Sequence, residues 1–79
     1  MRARDAYRVI FTRSGLAPAL LADPGRVDHV EVVEIGSGEV IMFWDRAPHA
    51  ASRLARAIRA DLAQLDAEEF VARWSTVEQ

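Results

Sequence analysis

The chain has 79 residues, no cysteine, a formal net charge of −2 and 51% hydrophobic residues. Those values exclude a disulfide scaffold, a thiolate metal site and a disordered polyelectrolyte, and they leave room for one domain, residues 1–79, with a thin core. No apolar run approaches the ~20 residues of a membrane-spanning helix, and the short basic N-terminus, MRARDAYRVIFTR, alternates like a strand rather than a signal peptide, so the expectation is a cytoplasmic protein.

All ten basic residues are arginine, and alanine occurs fourteen times. Arginine and alanine codons are GC-rich, so this bias reads as a genome signature rather than selection for guanidinium chemistry.

Residues 6–13, AYRVIFTR, place Tyr7, Val9 and Phe11 on one face and Arg8, Ile10 and Thr12 on the other. A period of two with aromatic and β-branched residues predicts a strand. Residues 16–22, LAPALLA, read as a short helix or tight apolar turn. Asp23-Pro24-Gly25 ends it as a type II turn.

Residues 26–35, RVDHVEVVEI, predict a second strand. Val30 and Val32 share one face, then Val33 and Ile35 share the other, so a β-bulge is expected at Val32–Val33. Gly36-Ser37-Gly38 is a hairpin loop leading into a third strand, residues 39–45. That strand is apolar on both faces, with Val40, Met42 and Trp44 on one and Ile41 and Phe43 on the other. Such a strand is expected at the centre of a sheet covered on both sides.

Asp45 is placed to cap the following helix, with Pro48 in its first turn. Ala51, Leu54, Ala55, Ile58, Leu62 and Leu65 form its apolar side, and Arg46, His49, Arg53, Arg56 and Arg59 its polar side. Asp66 and Glu69 have capping-box spacing before a second helix carrying Phe70, Val71 and Trp74. The tail STVEQ reads as frayed.

These elements predict an α+β fold with a three-stranded antiparallel sheet and one long and one short C-terminal helix. A crossover between the first two strands and a central third strand would give spatial order 1-3-2, as in a ferredoxin-like sheet lacking its fourth strand. The long helix would cover one face and leave the other with at most the 16–22 segment and the last helix.

Several side-chain sets bear on chemistry. Asp45, His49 and Arg53 at i, i+4, i+8 resemble an oriented base, but no nucleophile accompanies them, and a helix cap followed by solvated side chains explains them better. Asp28, His29, Glu31 and Glu34 hold too few imidazoles for a metal site and read as the charges of an edge strand. The glycines of residues 36–38 lie between strands, whereas a phosphate cradle needs a helix N-terminus after them. Trp44 and Trp74 read as core and interface rather than a cofactor clamp, and nothing implies a cofactor or metal.

Arg46, Arg53, Arg56 and Arg59 form a possible nucleic-acid or anion-binding face. The acidic neighbours Asp61, Asp66, Glu68 and Glu69 argue against nucleic acid. The reading that best fits is a self-associating binding or accessory module, a homodimer with a possible protein partner and no membrane contact. Its interface is expected at Met42, Phe70 and Trp74 with Tyr7 or Ile10. The alternatives are a nucleic-acid-binding regulator and a cofactor-independent enzyme using a dimer cavity.

Overall fold

The computed structural model describes residues 1–13 and 26–79. The segments expected at residues 16–22 and 23–25 lie outside the described residues. The elements are helix α1 (Ala3–Ala6), strands β1 (Tyr7–Thr12), β2 (Asp28–Glu34) and β3 (Val40–Arg46), and helices α2 (Pro48–Gln64) and α3 (Ala67–Trp74). The predicted α+β class and three-stranded antiparallel sheet are both observed.

The strand order is β1-β2-β3, not 1-3-2. β1 pairs antiparallel with β2 through Tyr7↔Glu34, Val9↔Val32 and Phe11↔Val30. The connection, residues 13–27, is long enough for a crossover but does not require one, since antiparallel neighbours also tolerate long loops. The ferredoxin-like comparison rested on that crossover and on a central β3, and the observed order removes both.

β2 is the central strand. Asp28, Val30 and Val32 point inward and are buried, and Val33 is buried as well. The charges at His29 and Glu31 therefore mark an outward face, not a sheet edge. β3 is an edge strand whose Met42 and Trp44 are buried against the helices while Val40 and Phe43 are exposed on the other side.

A register shift occurs at the expected place, but the extra residue is on β3 rather than β2. The β2–β3 register shifts between Val32, opposite Met42, and Val33, opposite Val40, so the extra residue is Ile41 of β3. Gly38 takes φ of +75° in the loop, a conformation that an L side chain rarely adopts. Its N–H donates to Glu34 O at 2.8 Å.

α2 packs on all three strands. Ala51, Ala55, Ile58 and Leu62 are buried along it. The two alanines put only methyl groups at the interface, so the helix can approach the larger Val30, Met42 and Trp44 side chains of the same core cluster. Its N-cap is Ala47, with Pro48 at the first helical position and no side-chain cap. Asp45 belongs to β3 and does not cap the helix. Asp66 is the N-cap of α3 by position and also makes no side-chain cap bond.

α3 lies on the same side as α2. Its Phe70 ring stacks on Tyr7 at 5.8 Å, and its Trp74 ring meets Trp44 at 6.1 Å. The N-terminus is clipped to the α2–α3 turn: Ala3 N donates to Leu65 O at 3.0 Å, and Ala67 N donates to Met1 O at 2.8 Å. Ala3 is fully buried there.

The tail does not fray. Gln79 Oε1 accepts from Phe43 N at 2.9 Å, Val77 O accepts from Trp44 Nε1 at 3.4 Å, and Glu78 O accepts from the Arg46 guanidinium. Residues 77–79 thus run beside the outer edge of β3. No described helix is long and apolar enough to cross a membrane.

Candidate functional site: the outer face of the sheet

All described helices lie on one side of the sheet, and its other side is the surface where partly apolar side chains meet water. Alternation and register build that face in rows. Thr12, His29 and Asp45 form one row across β1, β2 and β3. Ile10, Glu31 and Phe43 form the next, and Arg8, Val33 and Val40 the third.

The middle row is the most apolar at its flanks. Ile10 is 36% exposed, Phe43 41%, and Val40 in the next row 50%. A folded chain leaves single apolar residues outside as a matter of course, but these share one sheet surface.

The first row carries the polar chemistry. His29 Nδ1 is hydrogen-bonded to Asp45 Oδ1, its cross-strand partner. The His29 ring also stacks on Phe43, the diagonal neighbour, with centroids 5.5 Å apart and planes 27° apart. Asp45 orients the imidazole, and Phe43 holds it flat. The pair is open to water, with side chains 34% and 49% exposed, so it lacks the dry, walled setting in which such a pair does acid–base work.

The predicted site residues are dispersed. Asp45 and His49 do not form an i, i+4 pair, because Asp45 faces His29 on the outer face while His49 starts α2. His49 lies with Arg13, Arg26, Asp28, Phe11 and Ser52 around a depression of about 250 Å³ at the opening between β1 and α2. Asp28 is buried there, with Arg26 Nε 3.3 Å from its carboxylate. Of the β2 charges that the sequence reads as edge-strand charges rather than a metal site, Asp28 lies inward and His29 and Glu31 outward. No group of three or more metal-ligating side chains occurs among the described residues.

Met42, Phe70 and Trp74, expected at an interface, lie in the chain's own core, and Tyr7 is half-buried at its margin. Of the arginine face, Arg53, Arg56 and Arg59 are exposed on α2. Arg46 instead donates to Asp45 O at 2.8 Å and to Glu78 O, joining strand to tail.

Asp45 is the last residue of the strand expected at 39–45, and its reading as a helix cap leaves the cross-strand pairing with His29 unassigned in the sequence. Glu34 N donates to Glu39 O beside the loop, and only the extra residue at Ile41 shifts the register so that His29 meets Asp45, so the loop position alone does not reveal the pair.

Comparison with protein-family models, curated proteins and solved structures returned no match to this chain.

Proposed function

We propose that this chain is a small self-associating binding module that offers its outer sheet face to a protein partner. The observation that carries the reading is the exposure of Ile10, Phe43 and Val40 together on a sheet face that no described helix covers. With Met42, Phe70 and Trp74 in the core, this face and the margin of β1, where Tyr7 is half-buried, offer apolar surface for association among the described residues.

The nucleic-acid reading loses Arg46 to the tail and keeps three arginines on an otherwise acidic chain. The enzymatic reading finds its best-oriented pair, His29 and Asp45, on an open surface.

Sedimentation equilibrium across micromolar concentrations tests self-association. A dimer in reversible equilibrium is expected. A single species at 8.8 kDa throughout the range would overturn it.

A further inference from the structure

The two edges of the sheet are treated differently. The outer edge of β3 is occupied by the chain's own tail, whose Gln79 side chain accepts from Phe43 N at 2.9 Å. The outer edge of β1 has no such cover among the described residues.

The register identifies which β1 groups are left over. Ile35 N donates to Ala6 O at 2.9 Å, so Ala6 and Ile35 are a hydrogen-bonded pair. In an antiparallel ladder these pairs alternate, and Arg8, Ile10 and Thr12 therefore turn their N–H and C=O groups toward β2. Tyr7, Val9 and Phe11 turn theirs away. The Tyr7 N–H is taken by Ala3 O at the end of α1. What remains is the Tyr7 carbonyl and both backbone groups of Val9 and Phe11.

Resting on the self-association proposed above, we propose that two copies of this chain join through β1, antiparallel about a two-fold axis at Val9, into one continuous six-stranded sheet. Centred there, Val9 N–H donates to Val9 O of the second copy, and Phe11 N–H donates to its Tyr7 O. Symmetry repeats both bonds in reverse. A two-fold at Tyr7 would need the N–H that Ala3 already holds. A two-fold at Phe11 would pair Val9 with Arg13, beyond the end of the strand.

The side chains agree with the same register. Residues of equal parity meet, so helix-covered face joins helix-covered face. Tyr7 lies opposite Phe11 of the second copy, an aromatic pair extending the Tyr7–Phe70 stack. Val9 meets Val9, and these three β1 residues are all half-buried in the single copy. Arg8 lies opposite Ile10, so no arginine directly opposes another. β1 carries no proline and no bulge, the bulge being in the β2–β3 pair, and its one charged residue, Arg8, lies on the exposed face. A stable interface of ~1,000 Å² would take about a tenth of each copy's 5379 Å² surface. The joined sheet keeps all described helices on one side and doubles the outer face offered to a partner.

Val9→Pro tests the seam. Proline removes only the outward N–H and no bond to β2, which is the position where an edge strand tolerates it. The expected result is a variant at 8.8 kDa where the wild type sediments at twice that mass, while Phe43→Glu, on the outer face, stays dimeric. Amide exchange of the wild type gives a second readout that does not depend on the variant folding. Val9 and Phe11 amides should slow by about tenfold or more as concentration rises through the dimer transition, with Thr12 unchanged. A dimer in which Val9 and Phe11 exchange independently of concentration overturns the seam and leaves self-association standing. So does a Val9→Pro variant that remains dimeric, or a Phe43→Glu variant that is monomeric. A wild type that is monomeric throughout overturns both proposals.

Discussion

Trp44 and Trp74 meet edge to face, with ring centroids 6.1 Å apart and planes 76° apart. The contact ties the end of β3 to the end of α3, and Phe70 extends it toward Tyr7. This aromatic line lies between the sheet and the C-terminal helix in a domain with few other large side chains. Trp44 is fully buried and also donates its indole N–H to the tail at Val77 O. Trp44→Ala should lower stability by ~3–5 kcal/mol, the range for removing a large core aromatic. Denaturant titration measures it, and an unchanged midpoint would contradict the central place of this ring.

Asp61 joins α2 to α3. Its carboxylate accepts from Trp74 Nε1 at 3.0 Å and from Arg73 Nη1 at 3.1 Å. Asp61→Ala leaves the indole N–H of a nearly buried tryptophan without an acceptor and should cost ~1–3 kcal/mol. The exposed Arg73 pair contributes little of this, so Arg73→Ala should change stability by less than ~1 kcal/mol. Chemical melts of the two variants side by side separate the contributions, and equal losses would contradict the assignment.

The tail acts as an edge cover. Gln79→Ala removes the acceptor for the Phe43 N–H, and exchange of that amide should accelerate relative to wild type. The Trp44 indole N–H, held by Val77 O, should keep its rate. Both are read from the same exchange experiment. An unaltered Phe43 rate would mean that the tail leaves the β3 edge open in solution.

The arginines of α2 provide a negative expectation. Arg53, Arg56 and Arg59 are exposed, but Asp61, Glu68 and Glu69 belong to the same helical layer. Binding of duplex DNA or RNA at physiological salt should be weaker than micromolar, and Arg53→Glu with Arg56→Glu should leave it at that level. Micromolar or tighter binding of the wild type, falling steeply with salt, would restore the nucleic-acid reading.

Local signals in the sequence located every described element except α1. The alternation of Tyr7 to Thr12, the phase slip at Val32–Val33 and the i, i+3, i+4 spacing from Ala51 to Leu62 are consequences of strand and helix geometry, which need no knowledge of distant contacts. The stripe of Phe70 and Trp74 was also legible as apolar surface to be buried. What it would be buried against was not, because amphipathicity specifies a face and not its partner.

Tertiary structure alone decided the strand order, the side on which α3 packs, and the roles of Asp45, Arg46 and the tail. The apolarity of β3 on both faces suggested a central strand covered on both sides, yet the helices occupy one side and Phe43 stays outside. Asp45 has the spacing of a helix cap, but a hydrogen bond to His29 across the strands holds it in the sheet. Such pairings join residues far apart in the chain, and their stability depends on which surfaces the whole fold brings together. A local pattern can name the groups that need partners; the assembled layers determine which partners they find.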